Sequence, residues 1–399
     1  MHHFLQRLGF ARSRTYLDYA AATPVRAEVL RAMVPYQRER FANPSAIHRE
    51  GREVRRAVES ARTGVARVLR VRADGVTFTS GGTEANNLAL VGTVEAALAA
   101  GRCADELEVI STELEHASVL ATLEALRARG VRVVYAPVGS DGRISIAEFE
   151  KLLSPRTLLV SVAYVNSEIG VVQDVRRMAR SIRSTERAHG TDIYFHTDAS
   201  QAPLWLGCAL DALDVDLMTL DAGKCYGPKG VGALVHRRQV PLLPLVRGGG
   251  QEQGLRSGTE PVSLIVGFAE ALRIAQEGVE ERASRITKLR DGLIAELERV
   301  IPNLMLNGSR EHRVANNVNV SVPGINGEFA VVSLDVAGIA ASTRSACEGA
   351  AGGGSHVVRA LSGDEERARS TMRFTLGEET TRRDIHRAAR ALAAHVQRV

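Results

Sequence analysis

Val76-Thr77-Phe78-Thr79-Ser80-Gly81-Gly82-Thr83-Glu84 is the stretch that decides the fold. Its first four residues are β-branched or aromatic and read as a strand. From Thr83 to Leu98 the chain turns rich in Ala and Leu and reads as a helix. The two glycines between them allow a tight turn. The helix start presents free N–H groups and the positive end of the helix dipole, which together form a cradle for a phosphate. The pattern fits neither G-x-x-x-x-G-K-[ST] nor G-x-G-x-x-G, so a nucleotide is disfavoured. An ordinary glycine turn with a threonine cap suits the same residues, and both readings stand at this point.

Outward from this unit the same rhythm repeats. Strands are expected at Leu107 to Ser111, Val131 to Ala136, Thr157 to Tyr164, Ile193 to His196, Leu217 to Leu220 and Gly232 to His236, with a helix from Ala117 to Arg129. Strands alternating with helices imply a mostly parallel sheet covered on both faces. The rhythm changes after Arg247, where a Gly-rich polar stretch runs to Thr259. A long helical pattern follows from Val262 to Val300, then strands at Asn317 to Val322 and Ser370 to Thr375. The expected organisation is a large α/β domain over residues 26–264. Residues 1–25 and 265–399 form a smaller α+β domain.

Composition narrows the function classes. The 399 residues are 45% hydrophobic and 24% charged, ordinary values for a soluble globular protein that buries its own core. No apolar run reaches the roughly 18 residues that span a bilayer, and Met1 to Arg14 has no apolar stretch of signal-peptide length. A cytoplasmic chain without membrane contact is expected. The net charge of +5 is carried by arginine, since Lys151, Lys224, Lys229 and Lys288 are the only lysines. Acidic residues are interspersed among the basic ones, so no basic stripe points to nucleic acid. Cys103, Cys208, Cys225 and Cys347 form no C-x-x-C pair and no metal spacing, which fits a reducing compartment. The first three read as small buried hydrophobes.

Four further segments carry chemistry. Asp198-Ala199-Ser200-Gln201 ends a strand, and the carboxyl edge of a parallel sheet is where such folds bind ligands. A carboxylate there suits a pyridine nitrogen that must stay protonated, and Gln201 suits a ring oxygen. Asp221-Ala222-Gly223-Lys224-Cys225-Tyr226-Gly227-Pro228 places a lysine after a strand and before a rigid Gly-Pro turn. That position suits a Schiff-base nucleophile, and arginine could not replace it. His116, between a strand and a helix, could stack on a planar ring and shuttle protons, or simply cap the helix. Cys347 heads a run of small residues from Glu348 to Ser355 and lies outside any apolar periodic stretch. It reads as a nucleophile or sulfur carrier.

Taken in order, these segments resemble the NifS/IscS-type cysteine desulfurases, within the class V, fold type I enzymes that use pyridoxal 5'-phosphate (PLP). The resemblance runs nearly end to end. It includes Tyr16-Leu17-Asp18-Tyr19-Ala20-Ala21-Ala22-Thr23-Pro24, Asn43-Pro44-Ser45, Glu168-Ile169-Gly170, Arg256-Ser257-Gly258-Thr259 and Arg373-Phe374-Thr375-Leu376-Gly377. It implies the type I transferase fold, with a mostly parallel seven-stranded sheet in the large domain and a smaller α+β domain. It also implies the conversion of L-cysteine to L-alanine, with sulfane sulfur passed to Cys347 as a persulfide. Lys224 would carry PLP and deprotonate the substrate, Asp198 would pair with the pyridine nitrogen, and His116 would stack on the ring. Gly82 and Thr83 would hold the phosphate, and Thr259 would reach the cofactor of a partner subunit in a homodimer. Arg373, helped by Asn43, would bind the substrate carboxylate. The sulfur acceptor would be a protein, either an iron–sulfur scaffold or a component of tRNA thiolation or DNA sulfur modification.

The chain departs from the family at three cofactor positions. Ser167 stands where an asparagine usually contacts the ring oxygen. Asp221 and Gly223 stand where a serine and a histidine usually bond the phosphate. Asp221 is therefore expected to point elsewhere or to pair with an arginine. The departures keep two other readings in view: a selenocysteine lyase or other class V PLP enzyme, and a non-catalytic partner in sulfur relay or assembly.

Overall fold

Along each central strand, alternate residues enter different cores. Val109, Leu159, Leu217 and Leu234 join one buried cluster, and their neighbours Ile110, Val160, Met218 and Val235 join the other. This two-residue period, apolar on both faces, is what a sheet covered by helices on both sides requires. A computed structural model describes residues 14–237, 239–343 and 353–398. Cys347 lies outside the described residues.

The short β1 (Thr15–Tyr16) belongs to a peripheral ribbon. The central sheet comprises β2 (Val76–Thr79), β3 (Glu108–Ser111), β4 (Arg132–Tyr135), β5 (Thr157–Ser161), β6 (Tyr194–Asp198), β7 (Leu217–Asp221) and β8 (Gly232–His236). Its seven strands run in the order β2-β8-β7-β6-β5-β3-β4. Strand β8 is antiparallel to both neighbours, and the rest run parallel. Helices Gly82–Ala99 and Ala117–Arg127 cover one face through Ala85, Leu88, Val119 and Leu123. Helices Arg49–Leu69, Val175–His189 and Val262–Gln276 cover the other through Val58, Ile182 and Phe268.

The smaller part is a three-stranded antiparallel sheet, with β10 (Asn317–Ser321) between β9 (Met305–Leu306) and β12 (Thr371–Thr375). β1 pairs in parallel with β11 (Ile339–Ala340). Helices Val279–Val300 and Arg382–Val396 pack on each other here. The helical run expected from Val262 to Val300 is broken at Glu277–Gly278, where Gly278 has a φ of 64°. The Arg282 guanidinium donates back to the carbonyls of Ile274, Ala275 and Glu277, satisfying the end of the first helix. Helix Val262–Gln276 spans the expected boundary at 264/265 and packs on Arg49–Leu69 of the large part. Among the described residues no helix is long and apolar enough to cross a membrane.

Two connections position the site. The N-terminal stretch crosses from the small sheet, where Asp18 bridges Thr375, to the large one, where Thr23 bonds the Gly223 carbonyl. The carboxyl ends of β6 and β7 face this crossing, so ligand-binding residues at those ends lie beneath it.

Candidate active site

Lys224 closes a short 3₁₀ turn directly after β7, and its Nζ donates to the Ala21 carbonyl at 2.6 Å. Asp198 ends the neighbouring β6. Parallel pairing of the two strands therefore sets an amine and a carboxylate at one sheet edge. Both line a cavity of about 140 Å³ with Gly82, Thr83, Asn86, His116, Ser167, Gln201, Asp221 and Arg373.

The carboxylate of Asp198 is held on both oxygens. Oδ1 accepts from the Ser200 N–H at 2.9 Å and Oδ2 from Asn86 Nδ2 at 2.8 Å. Asn86 also donates to Ser118 Oγ at 2.9 Å, and Ser118 Oγ lies 2.8 Å from His116 Nδ1. His116 Nδ1 accepts from the Ser118 N–H as well, so this histidine caps helix Ala117–Arg127 while lining the cavity. The two readings left open for it are compatible. Asn86 Oδ1 is buried without a hydrogen-bond partner.

Behind Asp198, the fully buried His196 sits between Ser161 Oγ at 2.8 Å and Thr219 Oγ1 at 3.0 Å. Burial pushes its pKa down to about 4 against the pull of Asp198, so the ring stays neutral. Glu115 is also buried, and burial pushes its pKa up to about 7 although Thr112 and the Ala163 N–H bond it. Glu168 accepts from Ser355 Oγ at 2.5 Å, and His356 Nε2 lies 3.1 Å from the Glu115 carbonyl.

Arg373 reaches the cavity from the middle of β12 and is 1% exposed. Its guanidinium donates to the Ser167 carbonyl at 2.9 Å and to Asp18 Oδ1 at 3.0 Å. Its backbone exchanges two hydrogen bonds with Ser342. The chain therefore enters the Cys347 segment from beside Arg373.

Asp221 departs from expectation. It does not point away, and it pairs with no arginine among the described residues. Its Oδ2 accepts from the Gly82 N–H at 3.0 Å and its Oδ1 from the Gly223 N–H at 2.8 Å. The carboxylate lies at the helix start read as the phosphate cradle, because β7 delivers it there, the open Gly82 N–H attracts it, and the Gly223 N–H of its own turn anchors it. Gly81, which turns the chain into this helix, has a φ of 151°, a conformation that favours glycine.

The remaining site residues divide. Gln201 Nε2 donates to the Ala20 carbonyl at 3.0 Å at the cavity wall. Asn43 and Thr259 line a different cleft, with Tyr36 and Phe41. Cys208 and Cys225 are buried, but Cys103 is exposed, which corrects its reading as a buried hydrophobe. Burial pushes the Cys208 thiol up to about 12 and the Cys225 thiol higher still, so neither is a thiolate near neutrality.

The class-V aminotransferase family matches residues 15–388. The cysteine desulfurase IscS of Dictyoglomus turgidum is 39% identical over 94% of this chain and 92% of its own length. The chain belongs to the class-V aminotransferase family, among its cysteine desulfurases. Solved structures superpose on it closely. A NifS-like protein, 34% identical, has a TM-score of 0.88 over 97% of this chain and all of its own. A structure titled SspA in complex with cysteine, 34% identical, has a TM-score of 0.77 over 92% of this chain and all of its own.

Asn86, Ser118, Asp18 and Glu115 are additions to the residues singled out in the sequence. Asn86 could have been found, because it lies four residues after Gly82 and so on the same helix face, as a polar residue in an Ala/Leu run. Asp18 carried no such local signal, since it meets Arg373 across 355 positions of chain.

Proposed function

We propose that this desulfurase converts L-cysteine to L-alanine with PLP carried on Lys224, and passes the sulfur through Cys347 to an acceptor protein. The observation that carries the reading is the convergence of Lys224 and Asp198 on one cavity that Arg373 enters from the other sheet.

The residues fit PLP at its ring. An amine and a carboxylate come from adjacent strand ends, the His116 ring lines the wall, and the buried Asn86 Oδ1 still lacks a donor. At the phosphate end Gly82 and Thr83 fit, and the Asp221 carboxylate does not. When bound, PLP supplies an electron sink for the bonds broken at the substrate's carbons. Asp198, held by Asn86 and Ser200, keeps a proton on the pyridine nitrogen. Lys224 Nζ takes the proton from the substrate α-carbon. Arg373 binds the substrate carboxylate, and Asp18 and the Ser167 carbonyl keep its planar fork oriented. The Cys347 thiolate attacks the substrate sulfur: an S–S bond forms while the Cβ–S bond breaks, and Cβ keeps the electron pair and takes a proton. Alanine leaves, and an acceptor thiolate then takes the outer sulfur and restores Cys347.

The working unit is a homodimer. Thr259 and Asn43 lie away from the cavity of their own chain, next to Phe41, which is 79% exposed, and Ile47 is 88% exposed. Such a surface suits a second copy that receives Thr259 at its cofactor.

The test incubates PLP-loaded protein with L-cysteine and dithiothreitol and measures alanine and sulfide. Both products are expected from the native chain. Lys224→Ala is expected to lose both products and the visible absorbance of bound cofactor. Cys347→Ala is expected to keep the absorbance and lose sulfide release. Full turnover by Cys347→Ala, or none by the loaded native chain, would overturn the reading.

A further inference from the structure

A backbone N–H that a cofactor phosphate would seek is already bonded to a side chain, which is anchored by a second bond to its own turn. Gly82, at the start of helix Gly82–Ala99, donates to Asp221 Oδ2 at 3.0 Å, and Gly223 donates to Asp221 Oδ1 at 2.8 Å. A carboxylate in this place does what a bound anion would do. It satisfies a donor that the helix leaves open, the Gly82 N–H, and sits at the positive end of the helix dipole. The fit is close. A Cβ built on Gly82 would meet Asp221 Oδ2 at 3.4 Å and Ser200 Oγ at 3.1 Å. Its bonds go to backbone N–H groups rather than to an arginine, so no cation within the pair offsets a second negative charge.

We infer that Asp221 is a built-in competitor for the cofactor phosphate. Its carboxylate caps the helix while the cofactor is away, and it must give up the Gly82 N–H before the phosphate can take it. The inference rests on the reading of this cavity as a PLP site. It makes the holoenzyme an exchange of one anion for another at the Gly82 N–H. Cofactor affinity is therefore set below what the remaining contacts allow, and the cofactor-free chain is kept folded by its own side chain.

The two consequences have opposite signs under one substitution. Asp221→Ser removes the competing charge and leaves a hydroxyl able to donate to a phosphate oxygen. The full chain, freed of cofactor, is titrated with PLP and with pyridoxal, which lacks the phosphate, by visible absorbance. The cofactor-free proteins are also melted. Asp221→Ser is expected to bind PLP at least tenfold more tightly, about 1.4 kcal/mol, with pyridoxal affinity unchanged and a lower melting temperature without cofactor. Asp221→Asn keeps the shape and removes the charge, so it too is expected to tighten PLP, and it decides the matter if the serine variant does not fold. Unchanged or weaker PLP binding, or equal tightening of pyridoxal, overturns the inference. Failure of the PLP reading itself looks different: the native chain would then gain no visible absorbance that depends on Lys224.

Discussion

Replacing Glu115 with glutamine should make the protein more stable in mild alkali while leaving it nearly unchanged in mild acid. The Glu115 carboxyl is 2% exposed, accepting from Thr112 Oγ1 at 2.7 Å and from the Ala163 N–H at 2.9 Å. Burial pushes its pKa from 4.5 to about 7; nearby Asp198 pushes the same way, while the two hydrogen bonds and His356 oppose it. For an acid raised in this way, the folded protein holds a proton that the unfolded chain has lost. The stability this gives is full below the unfolded pKa and is lost as pH rises through the folded one. A span from 4.5 to about 7 corresponds to a ceiling of about 3 kcal/mol, at roughly 1.4 kcal/mol per pH unit. Glutamine keeps the acceptor for Ala163, offers an amide to the Thr112 oxygen, and carries no charge to lose. Urea unfolding of both proteins between about pH 5 and about pH 8 tests this, because their difference isolates the one group. Glu115→Gln should gain progressively on the native protein, by up to about 3 kcal/mol at the alkaline end. A difference that stays constant across the range would refute the reasoning.

Two other substitutions probe the frame around the cavity. Arg62 and Glu252 form a buried two-pronged pair at 2.7 and 2.9 Å, and Glu252 also accepts from the Phe78 N–H at 2.8 Å. Arg62→Met strands that carboxylate with a 2% exposed side chain and should cost about 3–5 kcal/mol in urea unfolding; a loss below about 1 kcal/mol would mean that the pair relaxes. Gly232→Ala puts a Cβ 2.8 Å from the Gly81 carbonyl carbon and 2.5 Å from the Leu220 carbonyl oxygen. It should cost about 1–3 kcal/mol and weaken PLP retention by shifting the Gly81–Gly82 turn, and retention at the native level would show that the turn does not move.

The parts of this fold that were legible in the sequence are those set by neighbours along the chain. The strand Val76–Thr79 and its glycine turn, and the strand ends bearing Asp198 and Lys224, follow from local composition and from the rule that ligands gather at the carboxyl edge of parallel strands. The continuous helix expected over Val262 to Val300 failed for a local reason that composition under-reports. Gly278 takes a left-handed turn, and Arg282 folds back to cap the helix before it. Cys103 failed similarly, because cysteine's general preference for burial says nothing of one site beside an exposed turn.

The orientation of Asp221 was out of reach for a different reason. Its sequence neighbours say only that an aspartate follows a strand. Its partner Gly82 lies 139 positions earlier, and the two meet because β8 inserts antiparallel between β2 and β7 and brings both strand ends to one edge. In so arginine-rich a chain, an aspartate three residues before the lysine is expected to seek an arginine. The helix start offers it a fixed, oriented N–H at the positive end of a dipole, and its own turn offers a second at Gly223, at no entropic cost in long side chains. Arg373 is held in advance in the same way. Its fork is held by Asp18 and the Ser167 carbonyl, from two segments remote in sequence, before any substrate arrives. Both charged groups that a ligand would meet at the ends of this cavity are thus already engaged by the protein. Binding there proceeds by exchange of partners, and affinity reflects the difference between the old contacts and the new.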